Sequence, residues 1–411
     1  MKTQKIIVIG AGAAGLMAAG QAAARGADVV LLEKMSQCAL KLAITGKGRC
    51  NITNAVLIRE FEEYVRTNFR FLKHALYSFD NQETVKFFED LGVKTVVERG
   101  NRVFPVTNRA TDVCEALIKW NRDNGVRIFT NSAVAKLIVK DHKVVAVKTR
   151  QINNIPARIY EADKVIVATG GASYPRTGSN GEGYRLAESI GHTLVPIKAA
   201  LVPLETVGNM AQKMQGVSLK NVRASVWVEG KKVAEEFGEM LFTHFGLSGP
   251  IIISLSKYAV NKSKVRVKVD LKPALDDKKL DARLLRDFAD KSKQQMRTVL
   301  RGLLPAKMIQ VCLEQTKIDA YKQAQQVVAE ERKRLRLFLK NLEFEIKGAR
   351  PIAEAIVTAG GVNVKEINSK TMASRIVENV YFAGEILDVD AETGGYNLQI
   401  AFSTGWLAGQ D

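Results

Sequence analysis

Three glycines and one glutamate near the start of the chain have the types and spacing of a grip for phosphate and ribose. Gly10, Gly12 and Gly15 form G-x-G-x-x-G, and seventeen residues separate Gly15 from Glu33. Gly10 permits a tight turn, Gly12 lets the backbone approach a pyrophosphate, and Gly15 lets a following helix pack closely. A carboxylate at Glu33 accepts from ribose hydroxyls and repels a 2′-phosphate, so the pattern points to an adenine dinucleotide other than NADP. By itself it does not separate FAD from NAD.

Four further segments combine Gly, Asn, Thr and Ser between apolar flanks, the composition of loops that approach a ligand. They run from Thr45 to Asn54 (TGKGRCNITN), Ala168 to Gly171 (ATGG), Thr243 to Pro250 (THFGLSGP) and Ala383 to Gln399 (AGEILDVDAETGGYNLQ). Two of them carry side chains able to move a proton, Cys50 and His244. His74, His142 and His192 sit in no such loop and give no functional signal. The four cysteines, Cys38, Cys50, Cys114 and Cys312, form no C-x-x-C pair and no metal-like spacing. A reducing cytoplasm fits them best, and no metal site is expected.

These loops need strands and helices to hold them. Ile6 to Ile9 reads as a buried parallel strand, about Ala13 to Arg25 as the helix whose amino end faces the phosphates, and Val29 to Glu33 as the second strand. A helix around Glu83 to Leu91, strands near 127–129 and 134–139, and Lys164 to Val167 leading into A-T-G-G continue an α/β pattern to about residue 190. From Leu194 to Asp270 the pattern turns to β, with alternation at 224–228 and 264–270. A helical stretch follows, at about 275–330, and the last sixty residues return to α/β character. The expected organisation is a dinucleotide-binding domain at 1–193, interrupted by an insert at 194–350 and completed by 351–411.

At 411 residues, 46% hydrophobic and 25% charged, the composition is that of an ordinary soluble globular protein. No uncharged apolar run reaches a membrane span, so no membrane partner is expected. The net charge of +18 is unevenly spread. Residues 1–190 hold 28 Lys and Arg against 18 Asp and Glu, 191–350 hold 30 against 17, and 351–411 hold 3 against 8. The excess peaks at Lys262 to Arg301 and in the cluster Arg332 to Arg336. Such a surface attracts polyanions, RNA or DNA before an anionic membrane. Solvated lysines on a generally basic protein are the plain alternative.

T-G-K-G-R-C-N-x-T-N, H-F-G-L-S-G-P, E-A-x-V-T-x-G-G-V at Glu354 to Val362, and A-G-E-x-L-D-V-D…G-G-Y-N-L-Q occur in this order along the chain. Together they resemble the bacterial HI0933-like or BaiN-like FAD-dependent oxidoreductases over essentially the whole length. The resemblance implies an α/β fold, with a Rossmann-type FAD-binding domain, an inserted β-barrel-like domain and a small helical domain. It also implies FAD in place of NAD. Gly384 and Glu385 then meet the ribityl and pyrophosphate region, with Asp388 beside them. Gly395, Tyr396, Asn397, Leu398 and Gln399 start a helix facing the flavin N1/O2 edge, where positive potential stabilises reduced flavin. Thr45 to Asn54 becomes the wall beside the isoalloxazine, with Lys47 and Arg49 to neutralise charge, Asn51 and Asn54 to offer amides, and Cys50 or His244 to donate a proton. Ala13, Ala14, Lys34, Lys41, Gly48, Val134, Ala168, Thr169 and Gly170 complete the expected cofactor contacts.

Without a second G-x-G-x-x-G after a strand, NAD(P)H is expected only as a transiently docked reductant. Three readings fit these features. The favoured one is a pyrimidine C5=C6 bond in structured RNA, with ribosomal RNA yielding dihydrouridine. The second is a small amine or enone, and the third is no substrate at all but a redox-sensing flavoprotein tethered to nucleic acid.

Overall fold

The computed structural model of the protein describes residues 3–152, 155–260 and 262–410. They form two compact units, Met1–Ala200 with Ala355–Asp411, and Leu201–Glu354. Each unit encloses its own apolar core.

Following the chain, the first unit begins with strand β1 (Lys5–Ile9), helix α1 (Ala13–Ala24) and strand β2 (Asp28–Leu32). Both strands are apolar and buried after their first residue, as central parallel strands must be. Among the elements that follow before the insert are a short strand β3 (Thr53–Asn54), then β4 (Arg127–Phe129), β5 (Lys164–Val167), helix α2 (Glu182–Glu188) and strand β6 (Leu194–Ala200). Between β3 and β4 lies a helix at Asn81–Asp90, whose start is fixed by Asp80 accepting from the amides of Gln82 and Glu83.

In the second unit strands β7 (Leu204–Thr206), β8 (Ser218–Val228), β9 (Lys231–Phe242), β10 (Gly246–Ser248) and β11 (Val265–Asp270) precede four helical segments. These are α3 (Asp277–Asp290), α4 (Met296–Val299), α5 (Ala306–Thr316) and α6 (Ala329–Lys340), and strand β12 (Leu342–Ala349) follows them. The strands close into a barrel in the order β7-β10-β9-β8-β11-β12. This closed barrel is the inserted β-barrel-like domain. The helical stretch expected as one run at 275–330 is interrupted instead. The chain breaks after α3, Pro305 caps α5, left-handed Lys317 (φ 53°) ends it, and α6 extends to Lys340.

The chain then returns to the first unit with β13 (Val357–Val362), β14 (Val380–Phe382) and the terminal helix α7 (Tyr396–Ala408). The central sheet has the order β14-β5-β1-β2-β4, with every neighbouring pair parallel. Strands β6 and β13 pair antiparallel, so both belong to the first unit. The insert therefore begins at Leu201 and ends at Glu354, where 194 and 350 were expected. Lys164, at the start of buried β5, is 1% exposed. Its ammonium donates to the Ala408 carbonyl at 2.7 Å and lies 3.7 Å from the Tyr381 ring centroid, so a costly buried cation anchors the carboxyl end of α7. Among the described residues no helix is long and apolar enough to cross a membrane.

Candidate cofactor and active site

The carboxyl ends of β1, β2, β5 and β14 bring Gly10, Glu33, Ala168 and Gly384 to one edge of the sheet. β1 lies between β5 and β2, and the chain runs outward from it in both directions, which is where open α/β sheets bind ligands. The glycines are needed there for packing as well as for approach. A Cβ on Gly10 would lie 2.6 Å from the Ala168 carbonyl oxygen, and one on Gly15 would lie 1.8 Å from that of Gly10. At Gly12 a Cβ meets nothing within 4 Å, which leaves open space in front of α1. The first-turn amides of α1, including those of Ala13 and Ala14, have no intrahelical acceptors and face that space.

Glu33 is buried, and its two oxygens accept from the amides of Ala11 and Met35, each at 2.8 Å. Burial pushes its carboxyl above the usual range against these backbone donations. The carboxylate is thus fixed across the tips of β1 and β2, with lone pairs left for ribose hydroxyls. The Ser132 amide donates to the Glu33 carbonyl, which brings the chain leading to Val134 beside the end of β2. Lys34 is turned away, bonded to Asn180 and, at 3.0 Å, to Glu182.

Helix α7 supplies a second amino end. Its glycines let it lie against α1: a Cβ on Gly405 would be 2.4 Å from the Ala14 oxygen, and one on Gly409 would be 2.6 Å from the Ala18 oxygen. Both contacts advance by four residues, so the helices run parallel. Ala13 is level with Thr404, and the amino end of α7 lies eight residues, or about 12 Å, beyond that of α1. Two positive helix ends staggered by about 12 Å suit a ligand with pyrophosphate at one and a ring system at the other. Gly384 sits between them: its Cβ position is 2.8 Å from the Ala14 Cβ and 4.0 Å from that of Ala401.

Strand β3 aims α7. Thr53 donates to Gln399 Oε1 at 2.6 Å, while Gln399 Nε2 donates to Ser403 and to the Phe79 carbonyl, both at 3.0 Å. Asn54 donates to the Gly394 carbonyl at 2.9 Å. A Cβ on Gly395 would lie 2.3 Å from the Thr53 oxygen. The side chains of the G-G-Y-N-L-Q run are therefore committed to holding the helix. Asn397 bonds to the backbone of Ala391 and Glu392, and Tyr396 stacks on Tyr64 at 4.4 Å between centroids. The side chains of Tyr396, Asn397 and Gln399 are thus engaged within the protein, and the backbone amides of this turn are what the helix start offers a ligand. Leu398 is half-buried on the same turn.

Other expected residues are placed differently. Arg49 pairs with Glu98, donates to Asn108 at 2.6 Å and stacks 4.1 Å from the Phe104 centroid, so its charge is matched within the protein. Lys47 and Gly48 are exposed at a left-handed bend. Cys50 is wholly buried, and burial pushes its thiol up to about 12. A sulfur held in the core packs as a small apolar group, and this placement weighs against the acid role expected for Cys50. Lys41 and Glu385 pair at 2.6 Å, with Ser173 accepting from Lys41 at 2.7 Å and the Thr358 amide donating to Glu385 at 2.8 Å. Asp388 accepts from Asn68 at 2.9 Å, and burial raises its carboxyl. His244 belongs to the second unit, exposed, its ring 5.0 Å from that of Phe245, without a hydrogen bond to a described residue.

Among the described residues, four buried polar atoms of the first unit lack partners: Asn121 Oδ1, whose own amide nitrogen donates to the Leu16 carbonyl in the core behind α1, and Asn51 Oδ1, Thr169 Oγ1 and Tyr184 OH. Buried polar atoms are ordinarily bonded, so the last three fit acceptors and donors waiting for a ligand. Asn51 lies in the expected wall, and Thr169 follows β5 beside Gly170, which is left-handed at φ 72°. Tyr184 was not foreseen, nor were Ser173, Thr358 and Asn68. A tyrosine early in a short helix looks like core in the sequence, although G-E-G-Y follows a loop. Open space at Gly12, two staggered helix ends, an ordered Glu33 and these atoms together fit FAD.

The HI0933-like protein Rossmann domain model matches residues 4–411. The chain belongs to the HI0933-like family. It is accordingly an FAD-dependent oxidoreductase, an enzyme with a Rossmann-type FAD-binding domain. It is 32% identical to a 3-dehydro-bile acid delta(4,6)-reductase of Clostridium scindens, over 99% of this chain and 98% of the relative. It is 31% identical to a ribosomal RNA dihydrouridine synthase of Haemophilus influenzae, over 97% and 96%. The fold is similar to that of the 3-ketosteroid delta1-dehydrogenase of Sterolibacterium denitrificans, with a TM-score of 0.51 at 11% identity over 100% of this chain and 99% of that one.

Proposed function

We propose that this family member reduces the C5=C6 bond of a uridine in structured RNA, ribosomal RNA in the favoured form, and so makes dihydrouridine in the cytoplasm. The observation that carries this reading is the charge of the insert, 30 Lys and Arg against 17 Asp and Glu in residues 191–350. A polyanion is the natural ligand of such a surface, and a steroid-sized substrate needs none of it. The H. influenzae relative's name supports the same chemistry. Bound FAD, reduced by NAD(P)H, would supply a hydride from N5, so that uridine, NAD(P)H and one proton become dihydrouridine and NAD(P)+.

The chain's own groups divide the remaining work. The amides of α1 hold the pyrophosphate, Glu33 the adenosine ribose, and the amides at the start of α7 the negative edge of reduced flavin. Gly48, Asn51, Ala168, Thr169 and Gly170 shape the space around the cofactor, and Val134 borders the adenine. With Cys50 buried, the exposed imidazole of His244 is the proposed proton donor to the base, which must be unpaired or flipped out.

Mass spectrometry of ribosomal RNA from a deletion strain tests the reading. One dihydrouridine should disappear and return on complementation, and unchanged RNA would sink it. The C. scindens relative favours a second reading, reduction of a carbon–carbon double bond in a small cyclic enone. That reading gains if the RNA is unchanged and the purified enzyme turns over an enone.

A further inference from the structure

The basic residues of the second unit are not equally available. The cluster Arg332 to Arg336 is largely spent inside the unit: Arg332 pairs with Asp281 at 3.0 Å, Arg336 with Asp277 at 3.3 Å, and Arg334 donates to the Thr316 carbonyl at 2.6 Å. Lys340 pairs with Asp270, and Arg350 with Glu205. A different stretch is one-sided in sequence. From Lys291 to Leu313 the chain carries Lys291, Lys293, Arg297, Arg301 and Lys307 and no acid.

The fold gathers most of this stretch along one edge. Residues 292–297 run antiparallel to 320–325, with the Ala324 amide donating to the Gln294 carbonyl at 2.9 Å, that of Met296 to Lys322 at 2.9 Å and that of Arg297 to Ala320 at 3.1 Å. This ladder sets the Arg297 guanidinium 4.6 Å from the centroid of Tyr321, a tyrosine 63% exposed. Lys291 Nζ lies 3.4 Å from the Cβ position of Gly302, next to Arg301. None of Lys291, Lys293, Arg297 and Arg301 has a carboxylate within 4.0 Å among the described residues. An exposed aromatic ring steadied by a guanidinium, among unpaired cations, has the two parts of a single-strand site: a face for a base and charges for the phosphates.

We propose that Tyr321 with Lys291, Lys293, Arg297 and Arg301 docks a single-stranded segment of the RNA substrate, one base stacking on Tyr321. The proposal rests on the RNA reading above. The holoprotein is titrated with a fluorescein-labelled oligouridine 12-mer across a KCl series, and the same variants are scored for dihydrouridine on ribosomal RNA from the deletion strain. Tyr321→Ala should weaken binding on the order of 5- to 100-fold, and Tyr321→Trp should restore it. Lys291→Ala/Lys293→Ala/Arg301→Ala should flatten the salt slope by about 2, at about 0.7 per cation. A matched control on the barrel, Lys220→Ala/Arg223→Ala/Lys231→Ala, should leave binding unchanged. Binding by Tyr321→Ala equal to wild type, or a control loss equal to that of the edge variant, overturns the proposal. FAD content and unfolding temperature check the fold of each variant. Wild-type protein that leaves ribosomal RNA unreduced sinks the reduction reading alone, while the binding arm still decides the edge.

Discussion

Gly12 and Gly15 belong to one motif and have different jobs, and the space around each says which substitution reveals it. Gly15 has no room, since its Cβ would overlap the Gly10 oxygen at 1.8 Å. Gly15→Ala should destabilise the protein by about 3 kcal/mol or more. Gly12 has an extended backbone, φ −83°, and an empty Cβ position, so Gly12→Ala should fold to within about 0.5 kcal/mol of wild type. Its methyl group would still stand where a phosphate approaches, and FAD affinity should fall about 10- to 100-fold. Calorimetry with FAD titration separates the two, and a Gly12→Ala protein that holds FAD normally would refute the phosphate role. Cys50→Ala, by contrast, should cost about 1 kcal/mol of core packing and leave turnover per bound FAD unchanged. A steady-state rate lowered more than about tenfold would restore Cys50 as an acid. The sequence shows which loop Cys50 lies in; which way its sulfur points depends on a left-handed turn, φ 59°, that spacing alone does not encode.

The fingerprint strand and helix were legible because local periodicity specifies them: α1 was expected to Arg25 and ends at Ala24. The G-G-Y-N-L-Q run was legible as a helix start, but its polar side chains read as ligand contacts when they are fasteners. Gln399 bonds to Thr53, 346 positions earlier, and no local pattern shows that pairing. Gln399→Leu should leave Thr53, Ser403 and the Phe79 carbonyl short of partners, cost about 2–4 kcal/mol, and weaken FAD binding by loosening the aim of α7. A thermal shift below about 2 °C would argue that the network is dispensable. His192, silent in the sequence, joins the end of α2 to the chain before β14 through Glu366 at 3.0 Å and Ser374 at 2.8 Å. Burial holds its pKa below the ordinary 6.5, despite Glu366. The unfolded chain takes up this proton first, so stability present above pH 6.5 is lost as pH falls from there towards the native value. Burial pushes Glu366 up, but donations from Thr193 and His192 leave it below 4.5, which adds a loss of the same sign at lower pH. Unfolding temperature should drop between pH 7 and 5, and His192→Gln should flatten that drop; an equal slope in both proteins would assign the sensitivity elsewhere.

Barrel closure was the least legible part of the fold. Strand β9 is a mostly exposed run, KKVAEEFGEMLF, that reads as polar surface, and β7 pairs with β12, about 140 residues away in sequence. Charge was legible as a total and not as a surface, because Arg332 and Arg336 find Asp281 only after α3 and α6 have packed. What the second unit leaves unpaired is therefore the quantity that salt should reveal. Four cations released to RNA at about 0.7–0.9 per charge give a slope near 3, and kcat/KM on ribosomal RNA should fall about 50-fold between 50 and 200 mM KCl. Reduction of the bound flavin by NAD(P)H, the reductant proposed above, would use the first unit and a small ligand, and should change by less than about threefold over the same range. Stopped-flow flavin absorbance and RNA mass spectrometry measure the two steps on one preparation. If both respond alike, the excess charge acts on the protein as a whole; if only the RNA step responds, the basic insert is what makes this flavin site a reader of polyanions.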